Sequence, residues 1–183
     1  MALNNHYALS FDGVDDQVGP VTLSDNAYCI ELYMYLEKEW TSNSTQMAVF
    51  GKGYDNFSIG PTSSWIDGEV ISLYSGGSGS YVTCSVNHTI PAGWSHVAFN
   101  WNGTTYSIYL NGVKLQTIEN KAKLFSVNNL YFGYRGAYGQ YFKGKLDEIR
   151  LWNKPRTEQE LLDNMNKRLK GDEAGLILYY RFD

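Results

Sequence analysis

Cysteine, histidine and long apolar runs are all scarce in this sequence. Its two cysteines, Cys29 and Cys84, lie inside strand-like segments and outside any CxxC or Cys/His spacing, so no zinc site is expected. Two interpretations of them stay open, a pair of buried free thiols or one disulfide between neighbouring strands. Because no stretch of about 18 apolar residues occurs, no segment is expected to span a membrane.

Charge of either sign is too sparse to indicate a nucleic-acid partner. The 15 basic and 19 acidic residues give a net charge of -4. The densest basic run, 167–170, closes a predicted helix, where it faces the negative end of the helix dipole. Residues 1–10 lack the basic and apolar regions of a signal peptide. Two origins stay open, a cytosolic protein or a domain of a larger secreted one.

Tyrosine and glycine, in contrast, are abundant, with 15 and 18 copies. Aromatic residues favour strands, and glycine favours the tight turns that join them. The run 27–36 is apolar at both alternating positions, which is typical of a strand covered on both faces. Strands 94–101, 105–110 and 113–118 are separated by two Asn-Gly pairs, which predicts a three-strand meander.

One helix interrupts this pattern near the end of the chain. Thr157 and Glu160 form a capping box, and Gly171 fits the stop position. The predicted helix covers 157–169, caps the sandwich and buries Leu161, Leu162 and Met165. About a dozen short strands and one helix predict an all-β, two-sheet antiparallel sandwich or jelly roll, formed by 1–183 as one domain.

Two loops carry the residue types that bind sugars. Sugar rings pack their C–H faces on Trp and Tyr, while their hydroxyl groups pair with Asp, Asn, Gln and Arg. One loop, 134–142, holds Tyr134, Arg135, Tyr138, Gln140 and Tyr141. The other surface combines Tyr54 and Asp55 with Trp65. An alternative is that these aromatic side chains only pack on the edge of the sandwich.

Several motifs in order resemble the laminin-G-like (concanavalin A-like) jelly-roll domains, especially the bacterial LamG-like branch related to pentraxins. They are "ALSFDGVDDQV", "YCIELYMYL", "WSHVAFNWNGTTYSIYLNGVKL", "FKGKLDEIRLWNKPRTEQEL" and "GLILYYRFD". The resemblance spans nearly the whole chain. It implies a two-sheet sandwich whose first and last strands pair, with Asp12 and Asp183 at the same end. It also implies a module of a larger secreted or surface protein, located outside the cell or on its surface.

The functions implied by the resemblance are mainly non-catalytic. The expected function is recognition of a glycan or cell-surface glycoprotein, with a protein-adhesion or structural module as the alternative. A glycoside hydrolase is less expected, because the E-x-D-x-x-E arrangement of retaining glucanases on this kind of sandwich is missing. His96 is interpreted as a structural residue bonding across strands and not as a catalytic base.

The stretch "FDGVDDQV" offers three aspartates, but not at EF-hand spacing. By the resemblance, Asp12 and Asp147 lie where a calcium ion ties the first strand of a sandwich to a late one. The metal hypothesis is therefore a structural calcium ion bound by Asp12 and Asp147. The alternative is that Asp12 only forms an Asx turn that ends the first strand.

Overall fold

The computed structural model describes residues 7–52, 55–59, 70–77, 80–119, 125–136 and 139–182. Of 55–59, 74–77, 80–83 and 125–126 it describes the backbone alone. The larger of two antiparallel sheets consists of β1 (Leu9–Asp12), β4 (Cys29–Leu36), β9 (Gly93–Trp101), β10 (Thr105–Leu110), β11 (Val113–Glu119), β16 (Lys143–Trp152) and β17 (Leu176–Tyr180). Its strand order is β1-β16-β4-β9-β10-β11, with β17 also beside β16.

The smaller sheet has six strands, and two further strand pairs are separate from both sheets. Its strands are β2 (Val18–Val21), β5 (Met47–Lys52), β6 (Asp55–Ile59), β7 (Ile71–Gly77), β8 (Ser80–Val86) and β13 (Leu130–Phe132). Their order is β2-β13-β5-β6-β7-β8. The short pairs are β3 (Asn26–Ala27) with β12 (Phe125–Ser126), and β14 (Tyr134–Arg135) with β15 (Gln140–Tyr141).

The two sheets pack face to face around one apolar core, which confirms the predicted antiparallel sandwich. Phe50 of β5 meets Phe99 of β9 across the core, with ring centroids 6.5 Å apart. Strand β4 lies between β16 and β9, and nearly all of its residues are buried, as its two apolar faces predict. Its even-numbered residues belong to the core. Its odd-numbered residues point to the other side, which we call the outer face.

The predicted three-strand meander of β9, β10 and β11 is confirmed, but its two Asn-Gly loops differ. Asn111 and Gly112 both have positive φ, at 51° and 80°, as a two-residue hairpin turn requires. In the Asn102-Gly103 loop only the glycine has a positive φ. The Asn102 Oδ1 accepts there from the Thr104 and Thr105 backbone N–H groups at 3.0 and 2.9 Å. This loop is therefore held by side-chain bonds.

The helix is shorter than the sequence predicts. Helix α1 spans Glu158–Met165, and the predicted Thr157/Glu160 capping box is present. Leu161 is buried, but Leu162 is 40% exposed and Met165 is half-buried, which corrects the prediction that all three are buried. Consecutive helical residues are rotated by about 100°, so only one of these two leucines can face the sheet. Among the described residues, no helix is long and apolar enough to cross a membrane.

The first and last strands do not pair with each other, contrary to the prediction. Strand β1 pairs with 143–146 of β16, and β17 pairs with 149–152. Because β4 occupies the other side of β16, β1 and β17 lie end to end along one side. Asp12 is consequently at the end of β1 far from β17. Asp183 lies outside the described residues.

Neither cysteine is in a disulfide and both are buried, which settles the open question of their pairing. Cys29 packs on the outer face with Leu161 and Leu169, whereas Cys84 belongs to the core between the sheets. The larger sheet separates them, so a disulfide cannot form. Burial, followed by the nearby Glu31 carboxylate, raises the pKa of the Cys29 thiol.

Candidate functional site

The outer face of the larger sheet carries a buried charged network centred on Glu31. The Trp152 Nε1–H donates to Glu31 Oε1 at 2.9 Å, and His96 Nε2 lies 2.9 Å from Oε2. Arg150 Nη1 lies 3.7 Å from Oε1. Burial favours the neutral acid, but His96, Arg150 and Trp152 together outweigh it, so the pKa of Glu31 is lowered. Glu31 is therefore an ionised carboxylate in the interior.

Arg150 connects this network to the end of α1. Its guanidinium donates to Glu148 Oε2 at 2.6 Å, to the Asn164 carbonyl at 3.0 Å and to the Lys167 carbonyl. The Asn164 carbonyl also accepts from the Lys167 backbone N–H at 3.0 Å, so the arginine adds side-chain bonds to the turn that ends the helix. The Tyr179 hydroxyl also donates to Glu148 Oε2, at 2.6 Å. Burial and the Glu148 carboxylate raise the pKa of Tyr179 to about 12, which keeps this donor protonated.

Both carboxylates of the network are closed off from solvent. Glu31 and Glu148 are 1% and 2% exposed, and each is bonded to cationic or N–H and O–H donors. His96 bonds Glu31 across the β4–β9 pair, as expected of a residue that bonds across strands. The network connects α1 to the sheet, and its covered carboxylates offer no surface to a ligand.

A second group of candidate side chains lies on the strand pair of β14 and β15, which we call the tyrosine hairpin. Tyr134 and Tyr141 are directly opposite each other, and their rings stack with centroids 4.7 Å apart. Tyr131 of β13 meets Tyr134 edge-on at 5.9 Å. All three rings are half-buried, so part of each is open to solvent. Together they form a tyrosine cluster with an accessible aromatic surface.

The other side of the tyrosine hairpin is polar. Arg135 lies opposite Gln140 and donates to its Oε1 at 3.3 Å. Gln140 in turn donates to Gln46 Oε1 at 2.7 Å. These bonds attach the hairpin to the segment before β5. The structure thus brings together three of the predicted ligand-binding residues, Tyr134, Arg135 and Gln140, and gives the hairpin one aromatic and one polar side.

The acidic loop 12–16 lies next to this hairpin. Asp12, Asp15 and Asp16 are exposed, and each offers a carboxylate oxygen within 4.8 Å of the others. Asp12 lies opposite Lys143, two residues after Tyr141, which places the loop beside the tyrosine cluster. Partial burial, then Tyr134, then the Asp15 carboxylate raise the pKa of Tyr141. Asp12 Oδ1 accepts from the Val14 N–H at 2.7 Å, so the predicted Asx turn is present.

The spacing of the acidic loop fits a calcium ion, because calcium takes several carboxylate oxygens at about 2.3–2.6 Å. One oxygen of Asp12 and one of Asp16 bond to backbone N–H groups within the loop. The second oxygen of each, and the carboxylate of Asp15, are the groups that this arrangement offers to a metal. The loop therefore provides the donor type that calcium needs.

The predicted pair of Asp12 and Asp147 is not brought together. Asp12 lies opposite Lys143 in the β1–β16 register, so Asp147 is four positions further along β16, about 13 Å away along the strand. Asp147 is buried, and its Oδ1 accepts from the Glu148 N–H at 2.7 Å. The two carboxylates cannot share one ion, and the acidic neighbours of Asp12 are in its own loop.

The second predicted ligand surface is only partly described. Tyr54, Trp65 and Tyr138 lie outside the described residues. Asp55 begins β6, where its backbone pairs with Lys52. The hypothesis that these residues contact a ligand stays a prediction.

Sequence reasoning missed two residues of the tyrosine hairpin surface. Tyr131 alternates with the buried Leu130 and Phe132, and that alternation could have placed it on the exposed face. Gln46 has no such pattern, since it is 94 residues away from its partner Gln140. Only the folded arrangement identifies it.

A family model described as "Concanavalin A-like lectin/glucanases superfamily" matches residues 12–162. Comparison with curated protein sequences finds no significant match. The family match therefore covers most of the chain, including the tyrosine hairpin and the Glu31, His96, Glu148 and Arg150 side chains of the buried network.

Three solved structures illustrate the shared fold. A candidate carbohydrate binding protein from Bacteroides ovatus superposes with a TM-score of 0.72 and 22% identity, over 96% of this chain and 52% of that one. Domain 4 of AbnA, a GH43 extracellular arabinanase from Geobacillus stearothermophilus, was solved in complex with arabinotriose. It superposes with a TM-score of 0.57 and 24% identity, over 79% of this chain and 68% of that one. A heptameric SAP-like pentraxin from Limulus polyphemus superposes with a TM-score of 0.63 and 16% identity, over 98% of this chain and 94% of that one. The chain thus spans about half the length of the Bacteroides ovatus protein.

Proposed function

The chain belongs to the concanavalin A-like lectin/glucanase superfamily, and we propose that it is a non-catalytic carbohydrate-binding module. The observation that carries the proposal is the stacked, half-exposed pair of Tyr134 and Tyr141 on a hairpin with a polar opposite side. Aromatic rings of this kind take the C–H face of a sugar ring. The two similar structures described as carbohydrate-binding or bound to arabinotriose support this class of ligand.

In this proposal the tyrosine cluster binds the apolar face of the sugar, and its phenol groups bind the hydroxyls. The raised pKa of Tyr141 keeps its phenol neutral, so it can donate and accept a hydrogen bond. Arg135 and Gln140 hold the hairpin in place through Gln46 and border the ligand on the polar side.

The non-catalytic part of the proposal rests on where the carboxylates are. A retaining glycosidase needs two carboxyl groups about 5 Å apart on either side of an accessible bond. The two interior glutamates, Glu31 and Glu148, are covered and bonded to Arg150, and those of the acidic loop are grouped on one turn. Release of reducing sugar from a panel of polysaccharides, abolished by changing a carboxylate, would contradict this part.

Binding is expected to fall about tenfold or more when Tyr141 is replaced by alanine, because the stacked ring pair loses one member. The measurement is a glycan array followed by calorimetric titration with the best neutral oligosaccharide. Tyr7→Ala removes a tyrosine that is 69% exposed at the other end of β1 and is the matched control.

Three results would decide between the ligand surfaces. Loss in Tyr141→Ala with no change in Tyr7→Ala supports the tyrosine hairpin. Loss only in Trp65→Ala would move the ligand to the other predicted loop. No glycan binding at all would reject the carbohydrate proposal and leave a protein-adhesion or structural module.

We further propose that the acidic loop binds a structural calcium ion at the end of β1. The expected result is a melting temperature a few degrees higher with calcium than with EDTA, since a ligand of the folded state alone stabilises it by mass action. Asp15→Asn should remove this shift, because Asp15 is the carboxylate least engaged with its own backbone. Glu119→Gln, an exposed carboxylate on β11, is the control.

Glycan titration with and without EDTA defines what that ion does. An unchanged affinity together with a lowered melting temperature supports the structural role. A lost affinity would place the ion in the ligand site beside Tyr141, and an unchanged melting temperature would reject the ion.

As a working context, we propose that 1–183 is one module of a larger secreted or surface protein, presented to glycans or glycoproteins outside the cell.

A further inference from the structure

Three side chains form a straight row across the outer face of the larger sheet, at the margin of the part covered by α1. Lys145 of β16 lies directly opposite Tyr35 of β4, and Tyr35 lies directly opposite Trp94 of β9. We call these three residues the rim row. The next row inward, where Tyr33 and His96 face each other, is buried. The rim row is thus where the covered face of the sheet opens to solvent.

The rim row is built as an aromatic surface with a cation at one end. Tyr35 and Trp94 meet edge-to-face with centroids 5.5 Å apart, and Trp94 also leans on Tyr33 at 6.5 Å. The Lys145 ammonium lies 5.5 Å from the centre of the Tyr35 ring. Tyr35 and Trp94 are half-buried and Lys145 is exposed, so all three are accessible.

The core does not need these side chains. Their neighbours along the strands, Met34, Ser95 and Leu146, point inward and are fully or almost fully buried. The rim row points the other way and belongs to neither apolar cluster of the described residues. Packing in the core therefore does not explain why two partly exposed aromatic rings and a lysine lie side by side on three adjacent strands.

Two lysines lie at the β16 end of the rim row. Lys143 is two positions before Lys145 on β16, so both lysines project from the same face. The carboxylate opposite Lys143 is that of Asp12, which is turned into the acidic loop by its bond to the Val14 N–H. Within the described part of the chain, no carboxylate lies within ion-pair distance of Lys143 or Lys145.

We propose that the rim row is a second sugar-binding site, specific for an anionic sugar residue that carries a carboxylate or a sulfate. The sugar ring lies on Trp94 and Tyr35, and the Lys145 ammonium pairs with the acidic group. Asn166 stands at the inner edge, where its Oδ1 accepts from the Tyr33 hydroxyl at 3.1 Å and its amide N–H₂ is left to donate. This site is distinct from the tyrosine hairpin, since Tyr131 there belongs to the smaller sheet.

The test measures binding of a sulfated, a carboxylated and an uncharged polysaccharide by affinity electrophoresis and calorimetry. Heparin, polygalacturonate and dextran are the three probes. We expect heparin or polygalacturonate to bind at the rim row, and we expect Lys145→Gln to leave any binding of dextran unchanged. Whichever of the two acidic polysaccharides binds shows whether the site takes a sulfate or a carboxylate. Trp94→Ala should raise the Kd about tenfold and Lys145→Gln about three- to fivefold, because an exposed ion pair contributes less than a stacked ring.

The matched control is Lys38→Gln. Lys38 also lies over an aromatic ring, 5.8 Å from that of Trp40, but Trp40 is 8% exposed and offers no platform. The proposal is overturned if neither acidic polysaccharide binds, or if Lys38→Gln weakens binding as much as Lys145→Gln does. Because Trp94→Ala can also disturb the fold, Lys145→Gln with an unchanged melting temperature is the deciding variant.

Tyr141→Ala separates the two proposed sites. Acidic-polysaccharide binding that survives Tyr141→Ala and falls in Lys145→Gln supports the rim row independently of the hairpin. Binding that falls in Tyr141→Ala and not in Lys145→Gln would overturn the rim row and assign the acidic ligand to the hairpin.

Discussion

Replacing Arg150 by methionine is expected to destabilise the folded state by about 3–5 kcal/mol, which is the usual effect of breaking a buried ion pair. The guanidinium is fully buried, and it bonds Glu148 and two carbonyl groups at the end of α1 while lying 3.7 Å from Glu31. Its removal leaves two carboxylates in the interior without their shared cation. It also releases the helix end from the sheet.

The measurement is urea unfolding of the variant beside Lys143→Met, which changes an exposed basic residue on the same strand. A chain of this length should lose about 2–4 °C of melting temperature for each kcal/mol, so the drop should be about 6–20 °C. Lys143→Met should stay within about 0.5 kcal/mol of the wild type. Equal stability of the two variants would contradict the assignment of Arg150 as the connection between helix and sheet.

A second change at Glu148 tests the reason for the loss. If unpaired carboxylates are its main source, adding Glu148→Gln to Arg150→Met should recover about 1–2 kcal/mol, because one buried charge disappears. The amide oxygen can still accept from the Tyr179 hydroxyl. A double variant that is less stable than Arg150→Met alone would show that Glu148 stabilises the fold without the arginine.

Replacing Glu31 by glutamine is expected to destabilise the protein at neutral pH by about 2–4 kcal/mol. The change keeps the size of the side chain, but an uncharged amide now faces Arg150, and one of its ends is a donor where two acceptor oxygens stood. Glu37→Gln, at an exposed glutamate just beyond the same strand, is the control and should be nearly neutral.

The effect of Glu31→Gln depends on pH in a defined direction. The pKa of Glu31 is below its ordinary value of 4.5 in the folded protein, so its ionised form stabilises the fold above about pH 4.5. That stabilisation is lost as the pH falls through the lower, folded-state pKa. The stability curves of wild type and Glu31→Gln should therefore converge in acid. A gap that stays constant from pH 7 to pH 3 would mean that the charge of Glu31 contributes nothing.

The sequence by itself determined most of the strands and their local connections. The double apolar pattern of β4 required two covered faces, and the Asn-Gly pairs required the loops of the meander. The capping box located the start of α1, because the bonds of a capping box join residues three apart. The Asx turn at Asp12 was predictable for the same reason. All of these features depend on residues close together in the chain.

Only the tertiary structure decided which side chains share a site. The register of β1 on β16 separates Asp12 from Asp147, although the resemblance to the family placed them together. Glu31, His96 and Arg150 meet through strands that are distant in the sequence, as do Lys145, Tyr35 and Trp94. Strand pairing fixes such contacts, and a shift of one residue turns every side chain of a strand to its other face. A pattern within one strand shows which residues share a face, but not which residues stand beside them.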